Sequence, residues 1–222
     1  MTKNLYIIPA MSLELENVKI DKLYKIGNNV IKGEITYNDQ KLLIKGPKMI
    51  LGSPISKNDD YYYIDLTFDK KSNNNKNFMK QVNGIDYFAI NDIFENFKQW
   101  YHGLDNVSLV RIEQEYIPSV KKSSVYNDRH SLKLKVPCDK IEFYDQDNIA
   151  LPYQLIKENF PVVPLLNLVA ICKDNNHIWS EWALPQLKID VPDNLLKGCQ
   201  LVDIGESDSE DETIPDDDFE SK

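Results

Sequence analysis

Arginine is almost absent from this chain. Of 26 basic residues only Arg111 and Arg129 are arginine, so cationic work falls to lysine, a point charge without the planar fork. Cysteine is scarce too, at Cys138, Cys172 and Cys199. Their spacing fits no zinc pattern, and an odd number argues against a disulfide framework, so free thiols in a reducing compartment are expected. The three histidines, His102, His130 and His177, include no pair at metal-ligand spacing and no H-E-x-x-H. No phosphate-cradling glycine loop is present: "KGPKMILGS" has the wrong spacing and lacks the Lys-Ser/Thr pair. A G-x-S-x-G elbow is missing. The acids from Asp203 onward lack the ligand order and central glycine of an EF-hand loop. A non-enzymatic protein with no metal and no cofactor is therefore expected. No apolar run approaches the roughly 18 residues of a membrane helix. The opening "MTKNLYIIPAM" holds no long apolar core of a secretory signal. An intracellular, soluble chain without a membrane partner is expected.

What is present is unevenly distributed. The formal net charge is -9 over 222 residues. Residues 203–222 hold ten acids against one base, Lys222, so of totals of 35 and 26 the preceding residues 1–202 keep 25 acids and 25 bases. The acidity belongs to the tail and the body is balanced. A segment so rich in acid and so poor in apolar side chains cannot offset its chain entropy, and is expected to stay disordered. The expected organisation is one domain over residues 1–202 and a tail over 203–222.

Within the body, short β-prone runs dominate. Residues 30–37 and 42–45 read as a hairpin turned by Asn38-Asp39. "YYYIDLTF" (61–68) is a strand by its aromatic and β-branched content, and "DKKSNNNKN" reads as a polar loop. The period then changes. Ile90, Ile93, Phe94, Phe97, Trp100, Tyr101 and Leu104 recur at three and four, predicting an amphipathic helix over 86–102 closed by Gly103. Its apolar face either closes a core or makes a homodimer. Residues 107–117 are β-prone. "SLKLKVP" (131–137) sets Leu132, Leu134 and Val136 against Lys133 and Lys135. "KIEFYDQDNIA" resembles a further hairpin. Residues 160–172 and 176–189 form a closing hairpin around "DNN". Many short strands with one helix between two strand groups predict a mainly β fold, an OB-like barrel with an inserted amphipathic helix.

Lysines and aromatics interleave on these strands. Residues 41–57 carry Lys41, Lys45, Lys48 and Lys57 without an acid, and Tyr61, Tyr62 and Tyr63 follow. Residues 107–136 carry six bases against three acids, with Tyr116 and Tyr126 among them. Single-stranded nucleic acid asks for this mixture: lysines follow phosphates, and aromatic faces stack on unpaired bases for about 1–3 kcal/mol each. The competing use of the same residues is structural, with tyrosines packing across strands and lysines on a solvated face. Tyr62 must face away from Tyr61 and Tyr63. Trp179 and Trp182, three apart on one strand, face opposite sides unless a bulge intervenes, which assigns one to the core and leaves the other free to stack.

The tail bears on the same chemistry. A tethered polyanion competes with nucleic acid for lysines at an effective concentration on the order of millimolar. Solubility alone would explain its acids but not "IPDDDF", where Phe219 gives a protein partner an apolar anchor beside Asp216, Asp217 and Asp218. Ser207 and Ser209 each have an acid three residues on, and phosphorylation would add roughly 1.5–2 negative charges per site.

Taken in order, several stretches resemble the single-stranded-DNA-binding proteins of nucleocytoplasmic large DNA viruses, related in plan to phage replication single-strand binders. They are "TYNDQKLLIKGPKMILGSP", "YYYIDLTF", "YIPSVKKSS", "LKLKVP", "VVPLLNLVAI" and "IWSEWALPQLKI", spanning most of residues 30–190. The acidic, Phe-bearing tail resembles those of bacterial and phage single-strand binders. In two places the chain departs from the pattern: "SEW" replaces glycine-containing text before the second tryptophan, and three residues follow Phe219. The resemblance implies an OB-fold that coats unwound DNA in replication, recombination and repair of a viral genome. Its place would be a cytoplasmic viral factory, the host nucleus or the virion, with replication proteins recruited through the tail. It implies phosphate contacts at Lys45, Lys48, Lys121, Lys122, Lys133 and Lys135, and stacking at Tyr63, Tyr116 and Trp179. Two other readings fit the same composition: a virion structural or assembly protein whose barrel binds other proteins, and an RNA-binding or transcription accessory factor.

Overall fold

The computed structural model describes residues 7–9, 12–27 and 29–192. Contacts divide the chain into Met1–Val191 and Pro192–Lys222. The acidic segment, with Asp216, Asp217, Asp218 and Phe219, lies outside the described residues, as do Ser207, Ser209 and Cys199.

In chain order the described strands are β1 (Ile7–Pro9), β2 (Val18–Ile26), β3 (Val30–Tyr37), β4 (Leu42–Lys45), β5 (Met49–Leu51), β6 (Ser56–Lys57) and β7 (Tyr61–Asp69). Three helices follow, α1 (Asn73–Glu95), α2 (Phe97–Trp100) and α3 (Leu109–Glu115). Then come β8 (Tyr116–Ile117), β9 (Val120–Lys122), β10 (Arg129–Pro137), β11 (Glu142–Tyr144), β12 (Pro161–Lys173) and β13 (Ile178–Ile189). The fold is mainly β, a curled half-barrel sheet with helices inserted between two strand groups, in line with the pattern of short strands around one period-3.6 segment.

β12 is the spine. One edge pairs antiparallel with β13 along nearly its whole length; the other pairs in turn with β5, β4 and β3. From β5 the sheet continues through β7 and β10 to β9. Alternation writes the core. On β10, Leu132, Leu134 and Val136 are buried while Lys133 and Lys135 are exposed. On β12, Val162, Pro164, Leu166 and Leu168 point inward between half-buried neighbours. α1 contributes Phe78, Val82, Ile85, Ala89 and Ile93 to the same core, a three-and-four spacing. Trp100 is fully buried too, and the approach leaves Gly33 no room for a side chain: a Cβ there would lie 3.0 Å from the indole and 2.5 Å from Ile20.

Three expectations change. The Asn38-Asp39 turn forms with both residues at positive φ (49° and 60°), as a tight hairpin turn requires. Yet β3 and β4 do not pair as a hairpin; both run antiparallel to β12, β4 against Leu165–Leu168 and β3 against Ala170–Lys173. The helix begins at Asn73, well before residue 86, and takes in part of the polar "DKKSNNNKN" stretch. Asn73, Asn74 and Lys76 of its first turn are exposed and Asn75 is a buried polar residue, while Phe78 onward supplies the apolar face. Residues 109–115 of the β-prone 107–117 stretch are helical: Ser108 caps α3 by accepting from the Arg111 N–H at 3.3 Å, and Arg111 pairs with Glu115 one turn on at 2.8 Å. The face expected to close a core or make a dimer splits, with Ile93, Trp100 and Tyr101 buried and Phe94 and Leu104 exposed.

Candidate nucleic-acid interface

The barrel has an open seam. Among the described residues no ladder joins β13 to β9 or β10. β8 pairs with β13 only through Tyr116–Ile178 and Ile117–Trp179; the chain then crosses the gap through Pro118 and Ser119 and becomes β9. The gap is a hollow of about 580 Å³. Its walls carry Lys121, Lys122 and Lys133 on one side and Trp179 on the other, with Ser119, Ser180 and Trp182 beside them.

Register explains the tryptophans. Trp179 lies opposite Cys172 and Trp182 opposite Leu168, with a register shift between Leu168 and Ala170 that interrupts simple alternation, so both indoles border the hollow and differ in depth. Trp182 is 7% exposed and belongs to the core. Trp179 is half-buried and borders the hollow.

A buried carboxylate holds the seam in shape. Asp86 of α1 accepts from the Tyr116 hydroxyl at 2.9 Å, the Ser119 N–H at 2.9 Å, the Ser119 hydroxyl at 2.7 Å and the Ser180 hydroxyl at 3.3 Å. The Trp182 indole N–H donates to Ser119 Oγ at 3.0 Å. One carboxylate thus ties the helix to both banks. Burial raises its pKa despite these donors. Sequence reading missed Asp86: nothing local marks it, since its partners Tyr116, Ser119 and Ser180 lie at least 30 residues later in the chain.

Tyr116 is a correction. At 6% exposure, with its hydroxyl committed to Asp86 and close to Ser180 at 2.7 Å, it offers no face to a base. Burial, then the neighbouring Asp86 charge, pushes its pKa well up.

Lys133 links the seam to a second hollow of about 310 Å³, lined by Ser53, Ser56, Tyr63, Asp65 and Lys135 among others. Directly opposed residues share a sheet face, and here Ser131 opposes Lys121 and Thr67, Lys133 opposes Asp65, and Lys135 opposes Tyr63. From Lys121 to Lys135 the row runs about 14 Å at the rise of a strand. Tyr63 is 41% exposed and Tyr62 is buried, which settles which tyrosines face out. The Lys135 ammonium sits 4.1 Å from the Tyr61 ring centroid and 6.0 Å from that of Tyr63, within cation–π reach.

The structure therefore brings together Lys121, Lys122, Lys133, Lys135, Tyr63 and Trp179. It sets Lys45 and Lys48 apart. Lys48 bonds to Asp190 at 2.7 Å, and Lys45 borders a different hollow with Ile7, Tyr144 and Lys188.

Comparison with known proteins finds likeness only in structure. No protein-family model matches the chain, and no curated sequence does. The crystal structure of gp2.5, a single-stranded DNA binding protein encoded by bacteriophage T7, is similar with a TM-score of 0.51 and 11% identity, over 67% of this chain and 91% of that one. The single-stranded DNA-binding protein of bacteriophage Enc34 is similar in a C-terminally truncated form at a TM-score of 0.40 and 10% identity, covering 81% of this chain and 98% of that one. Its complex with single-stranded DNA gives the same score and identity, over 76% and 93%. This chain shares its fold with the T7 protein.

Proposed function

We propose that this chain is a non-enzymatic single-stranded-DNA-binding protein that uses the open seam as its track. The observation that carries the reading is the row from Lys121 through Lys133 to Lys135, flanked by Trp179 and Tyr63. Lysines at strand spacing hold successive phosphates, while Trp179 and Tyr63 stack on bases of any identity. The seam carries no arginine fork aimed at base edges, which suits binding that tolerates sequence. The likeness of fold to the T7 protein, whose name states single-stranded DNA binding, supports the reading. In its finer form, the protein coats unwound DNA during viral replication, recombination and repair. Its acidic tail competes for the same lysines and recruits replication proteins through Phe219 and its neighbouring acids.

The test is fluorescence anisotropy of a labelled single-stranded oligonucleotide at low and moderate salt, with duplex DNA and RNA of equal length as controls. Preferential binding to the DNA single strand that weakens with salt is expected. Binding that strengthens when residues 203–222 are removed would support the tail's competition. No binding by a folded chain would leave the barrel as a protein-assembly module.

A further inference from the structure

The second hollow contains one group that phosphate binding does not need. Asp65 of β7 lies beneath Lys133, with Oδ2 3.9 Å from its ammonium, and is 8% exposed. Its other oxygen, Oδ1, has no hydrogen-bond partner among the described residues. Burial raises the carboxyl pKa, against the smaller opposing pull of Lys133 and Ser131. An acceptor left unsatisfied in the interior is costly, and one on the lining of a hollow calls for a donor from elsewhere.

The surroundings define that donor. Gly52 lets the loop lie directly on the carboxylate: its N–H donates to the Asp65 carbonyl at 2.8 Å, and a Cβ there would come within 3.3 Å of Asp65 Cγ and 2.4 Å of the Thr67 methyl. With the loop so placed, Ser53 lines the hollow beside a row of paired residues, Ser56, Tyr63 and Lys135, with Lys133 next along β10. A free amine or metal ion would meet two ammonium groups here. A nucleotide meets complementary groups at every point, with its phosphates against Lys133 and Lys135 and its base against the exposed Tyr63 ring.

We infer that this hollow is a base-selective subsite of the track, in which the Asp65 carboxylate accepts from the exocyclic amine of a base, so that cytosine binds better than thymine. Carboxylates accept from cytosine N4 by the same chemistry in DNA grooves. Thymine presents O4 in that position, an acceptor facing an acceptor. The two-fold torsion of an aspartate carboxyl lets either oxygen turn toward the base. The inference rests on the proposed single-strand binding and deepens it: most of the track is indifferent to sequence, and this position is not.

Anisotropy titrations of dC12, dT12 and a dC12 made from N4,N4-dimethylcytosine separate the two claims, with the wild-type full chain and with Asp65→Leu, which removes the acceptor at similar size. The wild type is expected to bind dC12 at least about threefold more tightly than either other oligonucleotide. D65L should bind dC12 and its dimethylated form alike, since a purely steric penalty of methylation would persist in the variant. Overall affinity of D65L should rise, because a negative charge leaves the phosphate track. The methylated oligonucleotide needs no variant, so the test stands even if D65L fails to fold. Equal wild-type affinity for dC12 and its dimethylated form, with salt-sensitive binding to both, would overturn base selection and leave single-strand binding standing. Discrimination retained by a folded D65L would overturn it too. No binding to any of the three would remove the single-strand reading itself and this inference with it.

Discussion

Replacing Trp179 with alanine separates stacking from folding. The side chain is half-buried at the edge of the seam, so its loss leaves no closed cavity in the core. If one base stacks on it, removal costs about 1–3 kcal/mol of binding, which is about five- to 150-fold in affinity. The backbone pairing of residue 179 with Cys172 and Ile117 survives the substitution, so the urea midpoint should move little. Trp182→Ala is the matched control. That indole is buried and donates to Ser119 Oγ at 3.0 Å, and deleting a buried tryptophan costs about 3–5 kcal/mol of stability. Anisotropy with a dT oligonucleotide, alongside urea unfolding of both variants, gives the two quantities. W179A should lose affinity at near-native stability, with an unchanged salt slope because no phosphate contact has gone. Wild-type affinity in W179A would refute stacking at this position.

Removing phosphate contacts should act on the salt dependence instead. Each of Lys121→Ala, Lys122→Ala and Lys133→Ala is expected to reduce the slope of log K against log salt by about 0.7, while Lys48→Ala, whose ammonium is held by Asp190, should leave it unchanged. Tyr116→Phe should lower stability by about 1–3 kcal/mol, read by urea unfolding, because Asp86 loses a buried donor; any loss of affinity should follow that destabilisation and vanish where the variant is fully folded. Asp86 has a folded-state pKa above its ordinary value through burial, so its ionisation opposes folding at neutral pH and that opposition disappears as pH falls through the raised pKa. Unfolding of wild type and Asp86→Asn followed from pH 7 down to the ordinary carboxylate range should therefore show the wild type gaining on the variant as pH falls. A difference independent of pH would contradict the assignment.

Elements that alternate over many residues were legible in the sequence. β10 shows its buried and exposed faces letter by letter, and the long β12–β13 hairpin follows from apolar content flanking a polar turn. The lysines of 121–135 and Trp179 were legible as residue types, but nothing in the chain says they meet, because the seam is made by strands that do not pair. Tyr116 misled for a related reason. A tyrosine beside basic strands has the same spelling whether its ring stacks or its hydroxyl caps a buried carboxylate, and Asp86 settles it from a helix 30 residues away. The start of α1 was hidden by the polar residues of its first turn, of which Asn75 is nonetheless buried. α3 was hidden by β-branched content that the Ser108 cap and the Arg111–Glu115 pair override. Lys45 and Lys48 sit in a run free of acids, yet Asp190, distant in sequence, holds Lys48 in the fold.

Tryptophan fluorescence tests the seam most directly. Trp100 is fully buried and Trp182 nearly so, which leaves Trp179 as the half-exposed indole of the three. Titrating the full chain with a dT oligonucleotide should quench emission saturably, with the same midpoint as anisotropy. Trp179→Phe keeps a stacking ring and should bind within a few-fold of wild type, while most of the quenching disappears. Tight binding by wild type with no change in emission would place the single strand somewhere other than the seam, and quenching fully retained in Trp179→Phe would contradict stacking on Trp179.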